Sequence, residues 1–279
     1  MIIKWKKLFF TINEIYGNVE SSEKLQKADV HAFFQQPGLI HSSKRNTLHK
    51  ETRTLCIDLH KSEEQLRTEL NKSTRYQINK ADRDHLTIRV VTNPNTNDLE
   101  DFKRFFNVYA KEKGIELFQD ERINGMAGNG KLYITYVFHK NGDLLAGHLY
   151  MADGNRAGMF YSGSIRLTNT DIPKNDVGRA NRYLHWHDIL YFKKENYHLY
   201  DFYGISLDEN NKDQQNINQF KRSFGGEEVT EYRSFIPQTL KGSLFVLLLK
   251  IKWRNQVERI KGNMVRNEQT KAKERGFFP

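Results

Sequence analysis

Residues 131–163 constrain this chain more tightly than any other stretch. Lys131–His139 reads as a strand, and Asn141-Gly142 is a favoured type I′ hairpin pair in which both residues take positive φ. Leu144–Ala152 is the return strand, and Asp153-Gly154 makes a second tight turn into Ala157–Gly163. The pattern predicts a three-stranded antiparallel meander, which the rest of the chain must accommodate.

The flanking segments alternate between helix and strand. Ser62 with Gln65 three residues on is a capping box, opening a helix whose apolar stripe is Leu66, Leu70, Ile78 and Ala81. Lys72, Arg75, Asn79 and Arg83 share another face, either a solvated surface or a phosphate-facing edge. Leu86–Thr92 reads as a strand. Asn97 with Glu100 opens a second capped helix that Gly114 stops, and a shorter helix is expected over Asp120–Ala127. After the meander come a long helix (Asn175–Asn196), a strand (His198–Tyr203), a short helix (Ile217–Phe224) and a strand (Glu228–Ile236). The N-terminal part predicts strands over Trp5–Ile12 and Thr54–Leu59, and a tail helix is expected over Leu240–Gly262.

This mixed order around an antiparallel meander fits neither a doubly wound parallel sheet nor a helical bundle. It predicts an α/β (α+β) fold: a mixed sheet with a central antiparallel meander and flanking helices, an N-terminal α/β portion and a C-terminal amphipathic helix. The boundaries expected are 1–60, 61–237 and 238–279.

Four segments carry a family resemblance. Arg75-Tyr76-Gln77-Ile78-Asn79-Lys80-Ala81 resembles the basic helical "I-x-K-A" segment of FemAB-like transferases, within the GNAT acyltransferase superfamily. Asn181-Arg182-Tyr183-Leu184-His185-Trp186 is similar to an aromatic-rich helix of that family. Tyr200-Asp201-Phe202-Tyr203-Gly204-Ile205 resembles its "Y-D-F-G-G" strand end, and Phe220-Lys221-Arg222-Ser223-Phe224-Gly225-Gly226 its "F-K-x-x-F-G-G" turn. The four occur in the family's order between Arg75 and Gly226. The resemblance implies strands that splay apart, Ala157–Gly163 from His198–Tyr203, with an acyl donor in the wedge. It implies transfer of an aminoacyl or acyl group from aminoacyl-tRNA or acyl-CoA, a co-substrate rather than a tightly bound cofactor, to an amine of a peptidoglycan or polysaccharide precursor. Tyr203 departs from the pattern, standing where the family has glycine.

Acyl transfer to an amine needs a positioned carbonyl, a deprotonated amine and donors for the developing oxyanion. By resemblance Lys221 stabilises charge at the transferred group; otherwise it caps its own helix. Asp201, at the end of a buried strand, either handles the acceptor amine or pairs with Lys221 or an arginine, because an unpaired buried carboxylate is costly. Arg75, Tyr161, Arg179, Asn181, His185 and Phe220 are the expected substrate-binding residues. His185, like His187, could equally be a packing residue. Asp176-Val177-Gly178-Arg179-Ala180-Asn181 does not reproduce the usual phosphate-binding pattern of CoA-using relatives. No H-E-x-x-H spacing occurs, and the single Cys56 excludes a cysteine cluster within one chain, so no metal is expected.

The net charge of +10 favours anionic partners: tRNA, nucleotide-linked or lipid-pyrophosphate substrates, or an acidic membrane surface. From Gln238 to Pro279 ten basic residues stand against three acidic ones. In the tail helix Leu244, Leu247, Leu248, Ile251 and Val257 are set against Lys250, Lys252, Arg254 and Arg259. Such a helix either lies on an anionic membrane or packs on the domain with a solvated basic face. Neither Leu8-Phe9-Phe10 nor Leu244–Leu249 is long enough for a signal peptide or a membrane span. The expected location is the cytoplasm, with peripheral contact at the inner face of the plasma membrane. Two other readings stay open: a CoA-dependent N-acyltransferase acting on a nucleotide sugar or small amine, and a non-enzymatic RNA-binding module.

Overall fold

The computed structural model describes residues 1–17, 25–40, 42–44, 46–128, 130–167 and 171–260. The chain divides into two compact units: Met1–Arg53 with Ile205–Gln215 and Thr230–Pro279, and Thr54–Gly204 with Asn216–Val229.

In the first unit, strands β1 (Ile2–Lys7) and β2 (Phe10–Tyr16) form an antiparallel hairpin. The single strand expected over Trp5–Ile12 is therefore two. Lys7 pairs with Phe10, leaving Leu8-Phe9 as a two-residue loop with Leu8 at φ +56°. β3 (Val30–Gln36) lies parallel to β2, and the latter part of β10 (Glu227–Pro237) runs antiparallel to β3. The first residues of β4 (Leu48–Asp58) follow β10, giving the order β1-β2-β3-β10-β4. Helix α7 (Leu240–Lys252) is capped by Thr239 and buries Gly242, Phe245 and Val246. It ends well before the expected Gly262, and the tail beyond residue 260 lies outside the described residues.

The second unit holds the expected meander. Its strand order is β4-β9-β8-β7-β6-β5, with β5 (Thr87–Thr92), β6 (Lys131–Phe138), β7 (Leu144–Ala152), β8 (Arg156–Ser164) and β9 (Leu199–Asp201). All neighbours are antiparallel except β8 and β9. The turn between β6 and β7 is not type I′. Of its two residues only Gly142 has positive φ, and a bulge between Val137 and Phe138 takes up the offset.

Helix α1 (Glu63–Glu69) starts at the expected Ser62/Gln65 capping box. It stops at Leu70, whose ψ of 135° is extended, and Asn71 accepts from the Thr74 amide to open α2 (Lys72–Asp82). The single expected helix is thus two, because an asparagine offers the backbone a competing bond. Helix α3 (Thr96–Lys113) is capped by Asn95 with Asp98, two residues before the expected Asn97. α4 (Asp120–Ala127) has the expected limits, and α5 (Lys174–Lys194) is the long helix. β7 is buried along almost its whole length, as a strand covered on both faces must be. Successive residues point to opposite faces: Gly147 lies against Phe105 of α3, and His148 reaches α5. This is a mixed sheet flanked by helices, consistent with the expected GNAT-like α/β fold.

Candidate active site

Strands β8 and β9 separate early. They pair in parallel at only three positions, Arg156 with Leu199, Ala157 with Tyr200 and Gly158 with Asp201. β8 continues to Ser164, still paired with β7, while the chain after β9 turns away through Tyr203 (φ +50°) and Gly204 (φ +20°). Among the described residues, the pairing of β8 with β9 ends at Gly158. Tyr203 lies at this fork. A Cβ on Gly158 would stand 2.3 Å from Tyr203 Cε2, so the ring occupies space that only glycine leaves open. Phe160 meets the same ring edge-on at 5.2 Å.

Asp201, fully buried, organises the end of β9. Its carboxylate accepts from Thr54 Oγ1, from Arg156 Nε (2.8 Å) and Nη2, and from the Tyr203 amide (2.8 Å). Four donors hold the charge, as burial requires. Lys221 lies beside it at the end of α6 (Lys212–Arg222) and donates to the Tyr203 and Gly204 carbonyls at 2.6 and 2.7 Å. An ammonium has three protons, so one remains for a further acceptor. Burial lowers the Lys221 pKa to about 8 against the pull of Asp201. The glycines that follow have a steric reason. Gly226 has φ +84°, and a Cβ there would stand 2.5 Å from the Cys56 carbonyl oxygen.

Phe220, the chain neighbour of this lysine, belongs to an aromatic cluster. His185, buried on α5, packs against Phe202, Phe220 and Phe224 at 5.1 to 5.4 Å, and its Nδ1 meets the Tyr200 hydroxyl at 2.9 Å. Burial, then the charges of His148, Lys221 and Arg182, push its pKa well below the usual imidazole value, so it is neutral at pH 7. Arg182 stacks on Phe220 at 4.9 Å. Behind lies a polar chain. The His148 Nδ1–H and the Tyr150 hydroxyl donate to Asp188 Oδ2 at 2.7 and 2.6 Å, and the Tyr150 and Tyr200 hydroxyls meet at 2.8 Å. Among the described residues, His148, His185 and Asp188 bring donor atoms within 4.8 Å of one another, close enough to share a cation. Hydrogen bonds already engage His148 Nδ1, His185 Nδ1 and Asp188 Oδ2.

The structure thus gathers Lys221, Asp201, His185 and Phe220, and places the other expected residues elsewhere. Arg75 closes the end of α1, donating to the Thr68 and Leu70 carbonyls. Asn79, from the same basic stripe, accepts from Arg67. Tyr161, on β8 beyond its pairing with β9, packs on Phe106 and Phe118, and its hydroxyl accepts from the Gln119 amide. Arg179 is paired with Asp84 and Asp176 at 2.9 Å each. Asn181 Oδ1 faces His148 Nε2 at 3.0 Å.

Sequence reasoning missed a pair of arginines. Arg166 follows β8 in a short 3-10 turn (Ile165–Leu167), and Arg182 lies one turn beyond Gly178 on α5. Both guanidiniums come within 3.9 Å of the space a Gly178 Cβ would fill. Burial and then Arg166 lower the Arg182 pKa, and its Nε is buried without a hydrogen-bond partner. Two neighbouring like charges suit an anion. A cavity of about 540 Å³ near the start of α5 is lined by Asp143, Asp171 and Asp176 and suits none. Only the small residue Gly178 between the two arginines hinted at the pair.

The FemAB family model matches residues 136–235, which run from β6 into β10. No curated protein matches the chain. Among solved structures the chain resembles FemX, with 11% identity, 88% of this chain and 86% of that chain covered, and a TM-score of 0.61. It is also similar to the C-terminal domain of a putative lysylphosphatidylglycerol synthetase from Agrobacterium fabrum (13% identity, 78% and 71% covered, TM-score 0.49). A third is L-PGS from Bacillus licheniformis (12% identity, 78% and 71% covered, TM-score 0.48). The partial family match and the fold-level likeness to FemX support a distant relationship to the FemAB branch of the GNAT superfamily.

Proposed function

We propose that this chain is an acyltransferase that moves an aminoacyl or acyl group from a carrier, aminoacyl-tRNA or acyl-CoA, to an amine of a cell-envelope precursor. The observation that carries the reading is the fork between β8 and β9 with Lys221 at its closed end. The divergence of β9 from β8 after Gly158 leaves a wedge between the two strands in which an extended acyl group would lie. The acceptor amine attacks the carrier-bound carbonyl, a C–N bond forms, and the C–O or C–S bond to the carrier breaks. The amine's proton leaves with the departing hydroxyl or thiol. Lys221 uses its third proton on the carbonyl oxygen as negative charge develops there, where a preorganised donor is most effective. Asp201 acts through position: its four donors fix the turn that presents the lysine. Arg166 and Arg182 take a phosphate of the carrier.

The distant FemAB relationship supports acyl transfer in general, and the match spans β8, α5, β9 and α6, the elements that build this site. The RNA-binding alternative draws less support, because Arg75 and Asn79 of its basic stripe are engaged within the protein. The test is transfer from labelled aminoacyl-tRNA and from acetyl-CoA to amine-bearing envelope precursors. Product is expected with one donor class and lost in Lys221→Ala with folding kept. Undiminished turnover in that variant defeats the site, and tRNA binding without any transfer defeats the enzyme.

A further inference from the structure

Helix α7 turns an apolar face outward. Gly242, Phe245 and Val246 pack inward, while Leu240, Leu244, Leu247, Leu248 and Ile251 are exposed, Leu240 at 91%. At about 100° per residue these five fall within an arc of about 100°, the width of a buried stripe. Lys241 and Lys252 flank the arc on one side and Lys250 on the other, and α7 carries no acidic residue. The loop of the β1–β2 hairpin has the same character. Leu8 is 86% and Phe9 60% exposed, with Lys4 and Lys6 exposed along β1. The two features touch: the Phe9 ring packs on Phe10 at 4.2 Å and Phe10 on Phe245 at 5.0 Å. Leu8 also holds φ +56°, strained for a leucine, and such strain clusters at working surfaces.

We propose that the Leu8-Phe9 loop and the outward face of α7 form one membrane-docking surface. The seven apolar side chains enter the boundary between headgroups and acyl chains of an anionic bilayer, and the exposed Lys4, Lys6, Lys241 and Lys252 meet the headgroups. An exposed apolar stripe bordered by lysines is the pattern of a helix lying in that boundary. A second copy fits less well. A two-fold interface would set these lysines against their own copies, with no carboxylate on either element's exposed face to offset them. The proposal does not depend on the acyl-transfer reading, since docking requires no turnover.

Flotation of the full chain with sealed vesicles tests it. The protein should rise with phosphatidylglycerol-containing vesicles and remain below with phosphatidylcholine alone. The variant Leu8→Ser/Leu244→Ser/Leu248→Ser should bind anionic vesicles at least about tenfold more weakly, since each leucine withdrawn removes apolar burial, with an unchanged circular dichroism spectrum. As a second probe, Leu244→Trp should shift its fluorescence to the blue on anionic vesicles. Equal flotation of the triple variant would assign binding to the basic tail and overturn the proposal. So would absence of wild-type flotation, or a dimer that the triple variant abolishes in protein that does not float.

Discussion

Gly158 and Tyr203 offer the sharpest test of the forked geometry. Gly158→Ala would place a methyl carbon 2.3 Å from Tyr203 Cε2 and 3.0 Å from Cζ. Carbon atoms meet comfortably at about 3.5–4.0 Å, so the ring or the strand must yield by more than an ångström. Overpacking of this kind costs about 1–3 kcal/mol. Alanine recovers about 0.5–1 kcal/mol over glycine within a strand, leaving a net loss of about 0.5–2 kcal/mol. In a Tyr203→Gly background the obstacle is gone, and a glycine at φ +50° carries no left-handed strain. There Gly158→Ala should be neutral or stabilise by up to about 1 kcal/mol. The coupling between the two sites is then about 1–3 kcal/mol, read from urea unfolding of the four proteins of a double-mutant cycle. If Gly158→Ala costs the same in both backgrounds within about 0.5 kcal/mol, the ring does not lie on Gly158 and the account of the fork fails.

Other outcomes follow from the same site. The Lys221 pKa lies near 8 in the folded chain and 10.5 ordinarily, so between these values the unfolded chain binds the extra proton and stability rises with pH. Turnover that needs the ammonium should instead fall as pH rises through about 8, and a rate that climbs there would contradict the oxyanion role. Replacing both Arg166 and Arg182 by glutamine should weaken carrier binding at least about tenfold, mostly in KM, each lost charge-assisted contact being worth about 1.5–3 kcal/mol; an effect confined to kcat would remove the phosphate from this pair. His185 is held neutral, so its contribution to stability is present above about pH 6.5 and lost as the pH falls below that value. Thermal melts at pH 7 and 5 should therefore differ less in His185→Phe than in the wild-type protein. Asp188→Ala strands the buried donors of His148 and Tyr150 and should cost about 3–5 kcal/mol by chemical denaturation; a loss under about 1 kcal/mol would mean that pair is not buried.

The meander was legible because its apolar strands and its turn residues follow one another within one continuous stretch. The Ser62/Gln65 box and the limits of α4 were legible for the same reason: the partners are neighbours in the chain. The breaks were not. Leu70 fits a helical stripe as well as a terminus, and only the Asn71 bond to Thr74 decides between them. Trp5–Ile12 reads as one strand because nothing in Leu8-Phe9 resembles a turn pair. Within the site, Lys221 and Asp201 emerged from motifs, but Thr54 and Arg156 are brought to Asp201 by strand pairing, and the Tyr203 carbonyl meets Lys221 through the placement of α6. A single sequence does not display that pairing. The Arg166–Arg182 pair stayed hidden because a 3-10 turn and a helix converge on Gly178 from separate segments.

The contacts of Lys221 span seventeen and eighteen residues of chain back to Gly204 and Tyr203. During synthesis the meander emerges whole before that lysine exists, so the fork can form with its closed end still unarmed. Were the intervening stretch cut, these two hydrogen bonds would tie lysine to turn without the chain between them.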